Sequence, residues 1–254
     1  MLDTPPFPED NPSRVPRLIS VQPSQKDRSL YEVVDFVNFA PLLAWREAIN
    51  NRYCERIGGP APVVSVLLWH LARQTEFAGR KFSTAVDVPS TPAHARAMAM
   101  VGICPADYEP NVDGFVEFAR DYLQLLEKAR MRSTEGWRLT RQLALLPPWL
   151  AAMALKVDKS RGRRTFGTVG VSMLKDARVF SAPMEDAGWY EGFLAIGNLS
   201  LPSCGDGTVA AVTARGGAET VRHYPAAVRR AIQLCSKSNP ILRPFQQPAV
   251  ILRG

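Results

Sequence analysis

Groups able to move a proton near neutral pH are scarce in this chain. It has three histidines, His70, His94 and His223, and imidazole is the side chain whose ordinary pKa suits it to take and return a proton at physiological pH. His223 closes an ordered set of motifs: GTVGVSMLKDARVF around Ser172, GFLAIG at Gly192–Gly197, then DGTV opening at Asp206, with His223 17 residues after that aspartate. An imidazole can deprotonate an attacking nucleophile, and a positioned hydroxyl can hydrogen-bond to an oxygen gaining negative charge. His223 and Ser172 carry side chains of those two types. The competing readings are a surface histidine heading PAAVRRAIQL and a polar residue in a strand. His70, inside the apolar run LLWHLAR, reads as a core histidine with a hydrogen-bond partner, and His94 falls in a loop. Cys54, Cys104, Cys204 and Cys235 are far apart, with no C-x-x-C pair and no histidine at ligand spacing. No metal site and no disulfide framework is indicated, and a reducing compartment is the default.

The elements that must position these residues follow from periodicity. The first dozen residues hold Pro5, Pro6, Pro8 and Pro12 and read as an extended arm, set at 1–14, with order beginning near Val15. YEVVDFVNF at Tyr31–Phe39 is β-branched and aromatic and suits a strand. Pro41 sits where a first helical turn tolerates it, and Leu42, Trp45, Ile49 and Tyr53 repeat at helical spacing until Gly58-Gly59 stops the helix. VVSVLLWHLAR is apolar on nearly all sides, as in a buried helix. Asp113 is expected to cap a helix over GFVEFARDYLQLLEKAR, whose Phe115, Phe118, Tyr122 and Leu125 or Leu126 form one apolar face. Between Arg130 and Phe166, WRLTRQLALLPPWLAAMAL must be broken by Pro147-Pro148 into two short helices. Gly216-Gly217 is expected to interrupt a strand in TARGGAET, and PAAVRRAIQL to form a terminal helix with a solvated basic face.

In order and spacing, these pieces resemble the catalytic core of the 2-oxo acid dehydrogenase acyltransferases, within the chloramphenicol acetyltransferase-like superfamily. That family has a Ser in a G-T-x-x-x-S-x-L stretch, an I-L-A-I-G strand, an Asp-Gly turn and a catalytic His at nearly these intervals, one residue longer between Gly197 and Asp206. Leu42, Leu43, Arg46 and Asn50 match its L-L-x-x-R-x-x-x-N helix, and TAVDVPSTP at Thr84–Pro92 is placed like its strand entering the active-site channel, which His94 could line. The resemblance spans roughly Tyr31 to His223. It implies an α/β two-layer sandwich with a mixed sheet flanked by helices, assembled as a homotrimer whose active sites lie between subunits and admit coenzyme A. It also implies that His223 is the base and Ser172 the oxyanion donor. The chain departs from the family in its helical insertion at 130–166 and in its N-terminal segment, where RVPRLISVQPSQ replaces a basic amphipathic helix. It departs again at the His-x-x-x-Asp-Gly motif, where Ala227 and Val228 stand in place of Asp and Gly. The family's Asp pairs with an arginine, and a buried arginine left alone costs several kcal/mol.

The domain is then 15–235, followed by a tail at 236–254. A length of 254 residues, 46% of them hydrophobic, suffices for one substantial core. The net charge of +7 suits an anionic partner, but the surplus reads as spread out apart from KVDKSRGRR at Lys156–Arg164, taken as a solvated loop with an anion-binding element as the alternative. No aromatic-interleaved basic stripe marks a nucleic-acid binder. The opening residues lack a secretory pattern and no run of about 18 apolar residues exists, so the location expected is cytoplasmic. The functions in view are a stand-alone acyltransferase using a coenzyme A-type acyl thioester, a non-catalytic scaffold or binding subunit, and a repurposed enzyme such as a cyclase of secondary metabolism. The apolar stretch at 137–155 is expected to cover the domain's own core or a subunit contact, with a membrane surface or another protein as the alternative.

Overall fold

Alternation along β1, Leu30–Asn38, decides which way the first strand faces. Val37 is buried while Val34 and Phe36 on the opposite face are exposed, as expected when one side of a strand meets a core. The computed structural model describes residues 30–88, 97–131, 159–173, 190–197 and 208–237, with short stretches between 133 and 154. The arm at 1–14, the segment from Val15, His94, Cys204, Asp206 and residues 238–254 lie outside the described residues.

Helix α1 runs over Ala40–Ile57 with Pro41 in its first turn and ends on Gly58, whose φ of 85° lets its N–H reach back to the carbonyls of Cys54 and Glu55. The next loop is held from within α1: Arg46 Nε donates to the Ala61 carbonyl at 2.5 Å and Asn50 Oδ1 accepts from the Ala61 N–H at 2.8 Å. The arginine and asparagine of the L-L-x-x-R-x-x-x-N pattern thus fix where α2, Val63–Leu71, begins. Every residue of α2 from Ser65 to Leu71 is buried, in agreement with its all-round apolarity. Strands β2 (Phe82–Val88) and β3 (Ala97–Ile103) form an antiparallel pair, and α3 covers Val112–Arg130. The cap of α3 is Asn111, not Asp113. Asn111 has extended backbone angles and its Oδ1 accepts from the Gly114 N–H at 2.8 Å, whereas Asp113 is already helical and pairs with Arg56; the N-cap is the non-helical residue whose side chain accepts from an amide of the first turn.

The remaining elements are α4 (Lys159–Phe166), β4 (Val169–Met173), β5 (Gly192–Ile196), β6 (Val209–Gly217), α5 (Ala218–Val221) and α6 (Tyr224–Lys237). The basic run at Lys156–Arg164 is therefore largely helical rather than a loop. The end of α4 lies against β3 at Gly102, where a Cβ would stand 2.5 Å from the Thr165 carbonyl oxygen, and Lys81 Nζ donates to the Arg164 carbonyl. Near the proline pair, Arg138 and Gln142 are helical, Leu145 to Pro147 are not, and Trp149, Leu150, Met153 and Ala154 are helical again, which agrees with two helical pieces.

One mixed six-stranded sheet runs β1-β6-β5-β4-β2-β3, with β2, β4 and β5 parallel and the other pairs antiparallel. Strand β6 continues through Gly216 and Gly217, paired with β1 on one side and, through Gly216, with β5 on the other, so the expected interruption does not occur. Glycine is required at that point: Gly216 has φ +156°, and a Cβ would meet Val221 at 2.7 Å and the Glu191 carbonyl at 2.8 Å. Helices α1, α2, α3 and α6 share one core with Val37, Phe82, Val169, Val171, Leu194, Ile196, Val212 and Ala214. These strand residues all project to the same face, which makes a two-layer α/β sandwich.

Candidate active site

Strand β4 places Ser172 on the face turned away from that helix layer. Val171 is buried towards the helices, so its neighbours Gly170 and Ser172 face the other way. Register extends this face across the sheet. Ser172 lies beside Ala195 of β5, then Thr213 of β6, then Val34 of β1. The adjoining row is Ser83, Gly170, Phe193, Arg215 and Glu32. Gly170 is a close-approach position, since a Cβ there would meet the Phe193 ring at 2.1 Å. The absent side chain lets that aromatic ring lie over β4 next to the serine. Phe193 and Ala195 form a small second cluster with Tyr190, whose hydroxyl is 2.8 Å from Ser83 Oγ. Ser172 is half-buried and Thr213 is 1% exposed. Two hydroxyls thus flank a small alanine on a partly covered floor, about 10 Å apart by strand spacing. Thr213 and the Ser83–Tyr190 pair were not singled out from sequence; strand alternation from Ser172 would have pointed to Thr213 once the register was known.

His223 sits elsewhere. It is exposed in the turn between α5 and α6, and its Nε2 accepts from Arg222 Nε at 2.8 Å. The next residue, Tyr224, is buried against Phe77 with ring centroids 4.5 Å apart. It also fills the space beside Gly192, where a Cβ would meet its ring at 2.6 Å. Gly192 points to the helix side, like Leu194 and Ile196. Ser172 pairs with Ala195, three residues further along β5 and on the opposite face. Within one chain the residue after His223 thus packs beside the start of β5 on the helix side, while Ser172 lies three residues further along on the other face. Ala227 is buried in the helix core at 0% exposure, so the position of the family's aspartate is a packing position here.

His70 is the buried histidine expected of LLWHLAR, but neither ring nitrogen has a hydrogen-bond partner. Its surroundings are apolar: Trp45 meets its ring edge to face at 4.9 Å. Burial, and secondarily the Arg73 guanidinium, pushes its pKa down to about 3, so the ring stays neutral and is a weak proton acceptor at neutral pH. Among the described residues no cluster of three or more His, Cys, Asp or Glu could hold a metal. Cys54, Cys104 and Cys235 are free thiols. A surface cleft of about 450 Å³ at the start of α3, lined by Arg56, Glu109, Asp113, Glu117 and Arg120, includes neither Ser172 nor His223.

No family model and no curated protein matches the chain. Solved structures do. A probable dihydrolipoamide acetyltransferase from Listeria monocytogenes is similar at 12% identity with a TM-score of 0.58, over 89% of this chain and 93% of that one. The dihydrolipoamide acetyltransferase of Azotobacter vinelandii is similar at 13% identity with a TM-score of 0.57, over 93% and 92%. This chain has the chloramphenicol acetyltransferase-like fold of those acetyltransferase cores. The X-domain from teicoplanin biosynthesis matches the same fold at 15% identity and a TM-score of 0.50, over 96% of this chain and 57% of that one. The α/β class and the mixed sheet flanked by helices expected from the sequence are those of this fold. Among the described residues no helix is long and apolar enough to cross a membrane.

Proposed function

We propose that this chain is an acyltransferase-fold enzyme acting on a coenzyme A-type acyl thioester, with its active site completed between copies of a homotrimer. The observation that carries this reading is the placement of Ser172: a half-buried hydroxyl on the sheet face away from the helices, beside a row of small side chains, in a fold shared with acetyltransferase cores over about nine-tenths of the chain. In the Azotobacter enzyme a serine, a histidine and an asparagine were investigated for their role in the catalytic mechanism. The interval between that serine and histidine matches the one between Ser172 and His223 to within one residue. In this reading Ser172, on the sheet face away from the helices, meets the His223 of a neighbouring copy across a subunit boundary. Val34, Phe36 and Val209, exposed on the Ser172 face at the β1 edge, supply apolar surface for such a contact.

In this mechanism the His223 imidazole takes the proton of an acceptor thiol as its sulfur attacks the thioester carbonyl. The Ser172 hydroxyl donates to the resulting oxyanion. Collapse breaks the carbon–sulfur bond to coenzyme A, and the departing thiolate recovers the proton from the imidazolium. Acyl-coenzyme A turnover with a dithiol acceptor tests the reading. Ser172→Ala should lower kcat by about 10²–10³-fold, and His223→Ala should remove activity while sedimentation still reports a trimer. Unchanged turnover in His223→Ala removes that histidine from the mechanism.

A second reading is favoured by Ala227, where the Azotobacter enzyme has its asparagine four residues beyond the histidine. A buried alanine there, together with an exposed His223 engaged by Arg222, suits a non-catalytic scaffold. That reading requires no coenzyme A binding by calorimetry.

A further inference from the structure

We propose that the segment 130–166 docks this protein peripherally on an anionic lipid surface. Two independent observations meet there. The first is apolar exposure. Leu145 and Trp149 are 75% and 68% exposed, Met153 is 50% exposed, and Leu146 is exposed beside them. Trp149 and Met153 lie one helical turn apart and so share a face, while Leu150 and Ala154 on the adjoining face are only half-buried. Leu145, Leu146 and Pro147 form the non-helical break that carries this face outward. The expectation that the stretch covers the chain's own core does not hold for these side chains.

The second observation is charge. Counted along the sequence, the basic surplus set apart at Lys156–Arg164 extends over the whole of segment 130–166. Segment 130–166 contains nine Lys and Arg against two acidic residues, which is the whole net charge of +7; the rest of the chain is balanced at 22 of each sign. Arg138, Arg163 and Arg164 are exposed. Helix α4 begins six residues after Met153, within about 20 Å of extended chain, so cationic groups lie on both sides of the apolar tip along the chain.

An apolar wedge containing tryptophan, framed by arginines, matches the two layers of an anionic bilayer surface: acyl boundary for Leu145, Trp149 and Met153, phosphate and carboxylate headgroups for the arginines. Other occupants fit less well. An isologous contact between two copies would bring two strongly cationic segments together, and the heterologous contact of the proposed trimer draws on the β1 edge instead, at Val34, Phe36 and Val209. A nucleic acid would match the arginines but leave leucine and methionine in water, since single strands are held by stacking on aromatic faces.

Flotation of the full chain with vesicles tests the proposal. It should bind vesicles containing about 30% phosphatidylserine, bind neutral phosphatidylcholine vesicles at least about tenfold less, and be released by about 0.5 M salt. Trp149→Glu with Met153→Glu should lower bound protein by about tenfold or more, and so should Arg163→Glu with Arg164→Glu. All four positions are exposed, and an unchanged circular dichroism spectrum checks that the variants fold. Failure to bind anionic vesicles at low salt overturns the proposal, as does binding indifferent to both double variants. Preference for duplex DNA over vesicles overturns it in favour of a nucleic acid. Loss of oligomer in the Trp149→Glu, Met153→Glu protein, without vesicle binding by the parent, overturns it in favour of a subunit contact. None of these outcomes depends on Ser172 or His223.

Discussion

Replacing His70 with phenylalanine should flatten the dependence of stability on pH between 7 and 5. His70 is fully buried, both ring nitrogens lack partners, and its folded pKa is pushed down to about 3 from an ordinary value of 6.5, by burial first and by Arg73 second. The unfolded chain therefore takes up a proton on this ring at a pH where the folded chain does not. A base with a depressed folded pKa contributes stability that is complete above about 6.5 and is lost as pH falls towards 3. The full shift corresponds to about 5 kcal/mol at 1.36 kcal/mol per pH unit; at pH 5 the loss relative to high pH is about 2 kcal/mol. His70→Phe keeps a ring edge for Trp45 and removes two unsatisfied nitrogens, so its level at pH 7 is set by packing while its slope reports the proton. Urea unfolding of both proteins at pH 7 and pH 5 yields the double difference, in which carboxylates common to the two chains cancel. The parent should lose about 2 kcal/mol more than the variant. Equal losses would refute the reasoning, because they would mean that the ring finds a partner or solvent when protonated.

Two further substitutions probe the architecture around the site. Gly216→Ala should destabilise the chain by about 1–3 kcal/mol, since the new methyl meets Val221 and the Glu191 carbonyl at a backbone angle unsuited to alanine. Thermal unfolding should show the loss as a fall of several degrees, and no change would mean that β6 ends before Gly216. Asn111→Ala removes the α3 cap at a cost of about 1 kcal/mol, whereas Asp113→Ala should cost well under that, because its partner Arg56 is a surface pair. A larger effect at Asp113 than at Asn111 would contradict the cap assignment.

The amino-acid sequence by itself determined the kinds of element and their order. The β-branched run at Tyr31–Phe39, the helical spacing of Leu42, Trp45 and Ile49, the Gly58 stop and the unbroken apolarity of Val63–Leu71 are local signals, and each element forms as read. Local signals were misleading where a residue's neighbours come from far along the chain. Gly216 reads as a strand breaker until Glu191 and Val221 are seen to leave room only for glycine. The basic run before Arg164 reads as a loop until Gly102 gives its helix a bed. His70 reads as a partnered core histidine, but whether a polar group meets its ring depends on the side chains packed round α2. The same distinction governs the candidate site. Motif order singles out Ser172 and His223, but the face each occupies follows from strand register and from where α6 packs. Only the tertiary structure decided that Ser172 faces away from the helix layer, because periodicity reports which residues share a face and is silent on which face the rest of the chain covers.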